Sequence, residues 1–251
     1  MTQDVPGARA MILAAGRGER MRPLTDDTPK PLLPVHGKPL MQWPLEALAR
    51  GGIERAVVNT AWLGEQIEQR FGARLACADG SALALAYSHE GRDFGGALET
   101  AGGIVRALPL LGDVFWVAAG DVYAPQFVFS QEAFDRFVAS GMLAHLWLVS
   151  NPAHNPKGDF GLSGEGLALG DPPAGTPRHT FSTIGLYRAE LFAAPWCDVA
   201  RGNAQGRSAA LAPLLRAAMH AGRVSAELYT GEWTDVGTPQ RLATLNAAGP
   251  A

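Results

Sequence analysis

The sequence contains little that would tie it to an oxidising compartment, a membrane or a nucleic acid. Its two cysteines, Cys77 and Cys197, have neither the number nor the spacing of a disulfide framework or a zinc site, so both are expected as reduced thiols of a cytoplasmic protein. The longest apolar runs, such as Val114 to Ala119, fall far short of the ~20 residues a bilayer span needs. The apolar stretch Ala10 to Ala15, between Asp4 and Arg17, lacks the layout of a signal peptide. Twenty-one Lys and Arg against 24 Asp and Glu leave a net charge of −3. With no basic excess, a nucleic-acid partner is excluded as an expectation, though a local phosphate site is not. Several catalytic signatures are also missing. There is no Gly-Lys-Ser/Thr of a Walker loop and no His-Glu-x-x-His, and Gly161-Leu-Ser-Gly-Glu lacks the last glycine of a nucleophile elbow.

Against these absences stand 30 Gly and 18 Pro in 251 residues, which without a repeat or low-complexity tract implies loops whose backbones have specific jobs. Apolar residues at 47% and charged residues at 18% describe a folded chain. The length suits one large domain, 1–251, with an elaborated second lobe.

Apolar runs bounded by turn residues predict strands at Met11–Ala15, Ala56–Asn59, Leu83–Ser88, Val114–Ala119 and Met142–Val149. Helical periodicity predicts helices at Leu40–Ala49, starting late because of Pro44, at Leu63–Phe71, at Thr100–Leu108, and after the N-cap Ser130. This alternation of strand and helix predicts an α/β fold with a mostly parallel sheet covered by helices on both faces. Beyond Asn151 the texture changes. Residues 151–178 read as proline-rich loops and hairpins with one short strand, Leu167–Leu169. A strand at Thr180–Tyr187, a loop over 195–207, a helix at Ala209–Ala221, a strand at Val224–Tyr229 and a helix at Thr238–Ala247 follow.

In open parallel sheets ligands bind beyond the carboxyl ends of the strands. There the first strand runs into Gly16-Arg17-Gly18-Glu19-Arg20-Met21-Arg22-Pro23. Its glycines allow close approach of an oxyanion and its arginines add charge, but Met21 stands where a dinucleotide fingerprint needs glycine. Together with Pro23-Leu-Thr25 and Thr28-Pro-Lys30-Pro-Leu, the segment resembles the signature of the sugar-1-phosphate nucleotidyltransferases.

The resemblance extends along nearly the whole chain. It implies a Rossmann-like fold with a small sugar-binding hairpin and loop lobe, in which 9–125 forms the nucleotide-binding half and 142–247 the sugar-phosphate-binding half. It also implies a reaction in which a sugar 1-phosphate attacks the α-phosphate of a nucleoside triphosphate, releasing pyrophosphate. Arg20 and Lys30 are then the catalytic cations. Ala14, Ala15, Gly16, Gly18, Glu90, Gly96, Ala97, Thr100 and Gly102 would surround the nucleotide. Asp121, after the fourth strand, and Asp235, in Trp233-Thr-Asp-Val-Gly-Thr238, would hold magnesium with phosphate oxygens. Asn151, Gly158, Asp159 and Ser182 would surround the sugar phosphate.

Glu90 can accept from the N3–H of uracil or thymine and equally from guanine, so uridylyl, thymidylyl and guanylyl transfer stay open. Asn151-Pro-Ala-His with Gly158-Asp-Phe160 and Leu98-Glu-Thr100 is similar to the branch that joins UTP to N-acetylmuramic acid 1-phosphate. Ala101, where that branch has glycine, leans towards guanylyltransferases acting on mannose 1-phosphate. A catalytically silent homologue is the non-enzyme alternative, and such proteins typically lose the lysine or an aspartate that this chain keeps. A monomer or small homo-oligomer without a membrane partner is expected.

Overall fold

The computed structural model describes residues 8–249. A ten-stranded mixed sheet forms its centre. Strands β1 (Ala8–Ala14), β2 (Pro34–Val35), β3 (Lys38–Pro39), β4 (Arg55–Thr60), β5 (Arg74–Ala76), β6 (Ala82–His89) and β7 (Leu111–Ala119) come first. They are followed by β8 (Val122–Tyr123), β9 (Ala144–Val149), β10 (Phe160–Leu162), β11 (Ala168–Leu169), β12 (Arg178–Arg188), β13 (Val224–Leu228) and β14 (Thr234–Asp235). The helices are α1 (Gln42–Arg50), α2 (Gly64–Phe71), α3 (Glu90–Phe94), α4 (Glu99–Ala107), α5 (Gln131–Ser140), α6 (Leu211–His220) and α7 (Pro239–Ala247).

The sheet order is β11-β10-β12-β7-β1-β4-β6-β5, with β9 and β13 branching from β12. Strands β7, β1, β4 and β6 are parallel to their neighbours in that run. Two antiparallel elements flank them, β12 against β7 and β5 against β6. The expected mostly parallel sheet is therefore present. Its core strands read as unbroken apolar runs because both faces are covered. Met11, Val57, Phe115 and Leu146 pack with Ile104 of α4 and Leu215 of α6. Ile12, Val58 and Trp116 pack on the other face with Leu45 of α1, Ile67 of α2 and Phe134 of α5. Among the described residues no helix is long and apolar enough to cross a membrane.

Helix boundaries follow local chemistry. α1 begins at Gln42, so Pro44 falls in the first turn, where its missing N–H costs nothing. The Ser130 hydroxyl caps α5 by accepting from the N–H of Ala133, and the Thr238 hydroxyl caps α7 by accepting from Arg241. α6 starts at Leu211, later than the apolar pattern suggests, because both backbone groups of Ala209 are bonded to Leu98 and Gly102 around α4.

Candidate active site

Parallelism brings the carboxyl ends of β1, β4, β6 and β7 to one edge, and each delivers a polar group there. β1 runs into Ala15 and Gly16, β4 carries Asn59, β6 leads to Glu90, and β7 leads to Asp121. Between them lies a cleft of about 280 Å³ lined by Ala14, Ala15, Gly16, Lys30, Glu90, Ala97, Thr100 and Asp121 of the expected set. The 3₁₀ turn Lys30–Leu32 aims the ammonium of Lys30 at Asp121, and the two form an ion pair. Lys30 is the more enclosed partner, at 11% side-chain exposure against 36% for the carboxylate.

The glycine loop divides its labour. Gly18 adopts a left-handed conformation, φ +69°, that starts the turn Glu19–Met21. Gly16 has open space where a side chain would stand. Arg17 is not aimed at the cleft: its guanidinium stacks 3.7 Å from the centre of the Trp62 ring and donates to the carbonyl of Thr25. Arg22 pairs with Asp26 on the surface. Arg20 is exposed and lies beside Gly237, near Asp235 rather than in the cleft wall.

Glu90 is fully buried. One carboxylate oxygen accepts from Asn59 Nδ2 at 2.7 Å and the other from the N–H of Leu98 at 2.8 Å. The side-chain oxygen of Asn59 accepts from the N–H of Ala14. Glu90 thus ties the end of β4, the loop before α4 and the end of β1 into one cleft floor. Burial pushes its carboxyl above the ordinary range, and the bonds from Leu98 and Asn59 oppose that rise. A Cβ on Gly103 would stand 2.4 Å from this carboxylate, so the helix can pass over the network only as glycine. Gly102 faces away from the cleft, donating to the carbonyl of Ala209 and leaving no room for a Cβ beside Arg207. Gly96 lies outside the cleft wall as well, next to Ala97.

Asp121 and Asp235 are brought together by the β8–β14 ladder, in which Asp235 pairs with Val122 and the N–H of Val236 donates to the Asp121 carbonyl. Asp235 also accepts from Arg241 at 2.6 Å and lies 2.9 Å from His154 Nε2. No group of three or more His, Cys, Asp or Glu that could hold a metal occurs among the described residues. Asp121 lines the cleft and Asp235 lies outside its wall. Two hard carboxylates are the donor type that a divalent ion such as magnesium takes while completing its shell with ligand oxygens and water.

A second cavity of about 590 Å³ adjoins the first and shares Leu13, Glu99, Thr100 and Thr183 with it. Asp159 lines it, while its carboxylate is already held by the N–H of Phe181 and by Asn155. The other residues expected here act one step back. Asn151 links Arg178 and Thr180. Gly158, at φ +62°, lies against Arg178 and Asn151. Ser182 is buried and anchors an irregularity in β12 by donating to the Trp147 carbonyl. That irregularity presents Thr183, at φ +62°, to both cavities. Glu99, at φ +57°, is the other non-glycine residue with positive φ on the shared wall. Such conformations cost on the order of 1–3 kcal/mol and persist where a site is over-determined. Sequence reasoning passed over Thr183, Glu99 and Asn59. Positive φ leaves no mark in residue type when the residue is not glycine, and Asn59 reads as an ordinary strand end.

The nucleotidyl transferase family model matches residues 9–249. The chain is 47% identical over 246 residues to the N-acetylmuramate α-1-phosphate uridylyltransferase of Neisseria meningitidis serogroup B, covering 97% of this chain and 99% of that one. It is 32% identical to the protein of the same name from Caulobacter vibrioides, over 95% of each chain. A crystal structure from Bacillus anthracis, assigned as a glucose-1-phosphate thymidylyltransferase in complex with sucrose, superposes with a TM-score of 0.73 at 21% identity. It covers 96% of this chain and 94% of that one.

Proposed function

The chain belongs to the nucleotidyl transferase family, and from that premise we propose that it is a sugar-1-phosphate uridylyltransferase joining UTP to N-acetylmuramic acid 1-phosphate, with release of pyrophosphate. The full-length identity to the meningococcal uridylyltransferase is the observation that carries this reading. The nucleotide is assigned to the half spanning 9–125 and the sugar phosphate to the half spanning 142–247.

The attacking phosphate of the sugar is already ionised at neutral pH, so the protein has no proton to remove. Its task is to bring two anions together and to neutralise charge as the bond to pyrophosphate breaks. Lys30 is suited to this because an ammonium has three N–H groups, so it can keep Asp121 and still donate to an α-phosphate oxygen. Its flanking prolines, Pro29 and Pro31, and its turn restrict where it points. Gly16 leaves room for phosphate against the end of β1. Arg20, on the Asp235 side, would meet the leaving phosphates. Asp121 and Asp235 would hold magnesium, which when bound screens the charge of the phosphate oxygens. The Glu90–Asn59 pair fixes the floor against which the base lies.

The reading places the reaction in the cytoplasm, in the recycling of cell-wall sugars, and two free thiols support that compartment. Pyrophosphate release measured over UTP, dTTP, GTP and ATP against several sugar 1-phosphates tests it. The highest turnover is expected with UTP and N-acetylmuramic acid 1-phosphate, and release only with GTP and mannose 1-phosphate overturns it.

A further inference from the structure

The second cavity is about twice the size of the nucleotide cleft, and most of its wall is apolar: Leu13, Val117, Phe160, Phe181, Leu211 and Leu215. One cation stands in that wall, Arg216 of α6, and it lines only this cavity, not the nucleotide cleft beside it. A guanidinium placed there for either phosphate would be expected on the shared wall with Thr100 and Thr183. Arg216 is instead among the residues of the side that the nucleotide does not reach.

The guanidinium is held but not consumed. Nη1 donates to the carbonyl of Gly170 at 2.7 Å, and the group sits 5.4 Å from the centre of the Phe160 ring. The nearest carboxylate, Asp171, is 3.9 Å away, beyond hydrogen-bond reach, and is engaged by His220 at 3.0 Å. Asp159, the other acid of this wall apart from Glu99, has both oxygens occupied by Phe181 and Asn155. Only the Gly170 carbonyl takes a hydrogen bond from it among the described residues, and the side chain, 39% exposed, leaves its other donors to solvent or a ligand. Tyr187, 1% exposed, also belongs to this wall, while its hydroxyl is itself buried and has no hydrogen-bond partner among the described residues.

We infer that Arg216 is a specificity residue that receives a carboxylate on the sugar, the lactyl group by which N-acetylmuramic acid differs from N-acetylglucosamine. The inference rests on the uridylyltransferase reading above. A fork of parallel N–H groups matches a carboxylate in two bonds, and the apolar wall accepts the lactyl methyl. A sugar without the lactyl ether leaves Arg216 solvated and gains nothing from it.

Steady-state kinetics with UTP compare N-acetylmuramic acid 1-phosphate with N-acetylglucosamine 1-phosphate, for the wild type, Arg216→Met and Arg216→Lys. Loss of a charge-assisted pair lowers kcat/KM for the muramic substrate by about 10- to 100-fold, mostly through KM. The effect on the glucosamine substrate stays within about threefold, and Arg216→Lys falls in between because it keeps the charge without the fork. An equal loss on both substrates assigns Arg216 only to holding Gly170 and overturns the inference. So does an Arg216→Met protein that keeps the wild-type preference. A wild type that prefers the glucosamine substrate overturns the functional reading and, with it, this one.

Discussion

Lys30 and Asp121 are 91 positions apart in the chain, yet their side chains form an ion pair at the mouth of the cleft between β1 and β7. The pair joins the proposed cation of the transition state to one proposed ligand of the metal. Lys30→Ala and Asp121→Asn are each expected to lower kcat by about 10²–10³-fold, in the range of other electrostatic stabilisers of a transition state. Because Lys30 is largely enclosed, each variant also loses some stability, so the fold is checked beside the rate. Initial rates on variants whose circular dichroism matches the wild type provide the check, and near-native turnover by either would remove the pair from the mechanism.

Gly16 and Gly18 separate function from folding. A methyl group at Gly16 meets nothing within 4 Å, so Gly16→Ala should leave the melting temperature unchanged while raising KM for the nucleotide. Gly18 has φ +69° and lies close to Thr25 and Lys30. Gly18→Ala should therefore cost about 1 kcal/mol or more in stability before activity is considered. Thermal melts read beside nucleotide KM distinguish the two, and equal destabilisation would contradict the assignment of Gly16 to the ligand.

Part of the cleft wall was legible because it is local in sequence. Gly16 and Lys30 lie within one short stretch after a plain buried apolar strand, whereas Gly18 and Arg20 of that stretch do not line the cleft. The parallel core was equally legible, since helix and strand periods alternate with turn residues between them. Strands β5 and β10 were not, because three-residue strands at the flanks of a sheet carry too little pattern. The shared wall of the two cavities depends on positive φ at Glu99 and Thr183 and on an irregularity pinned by Ser182. These arise from tertiary pairing, and residue type does not announce them. Glu90 shows the same limit in another form. The resemblance sets it against the base, whereas both its oxygens are engaged by Asn59 and Leu98, from chain segments that meet only in the fold.

Burial raises the pKa of Glu90, so the folded protein keeps that proton at pH values where the unfolded chain has released it. The stability from this group is present in full below the ordinary glutamate value of about 4.3 and is lost as pH rises through the raised folded value. Glu90→Gln cannot titrate. Urea unfolding of both proteins at a series of pH values should therefore show the wild type losing ground to the variant as pH rises. A wild type that gains ground instead would mean that the fold lowers this pKa.

Tyr187→Phe removes a buried hydroxyl that has no partner among the described residues. The melting temperature should stay level or rise, since an unsatisfied buried group carries a desolvation cost. KM for the sugar phosphate should stay within about twofold, since the hydroxyl is itself buried and offers no surface to a ligand. A KM raised several-fold would instead mean that the hydroxyl reaches the sugar site.

The measurement that bears most directly on the central claim is the stoichiometry of products when the purified protein is mixed with magnesium, UTP and N-acetylmuramic acid 1-phosphate. The account predicts one pyrophosphate for each UDP-N-acetylmuramic acid formed, identified by mass, and none when the sugar phosphate is left out. Pyrophosphate released without the sugar phosphate, or no nucleotide-sugar at any substrate concentration, would contradict it.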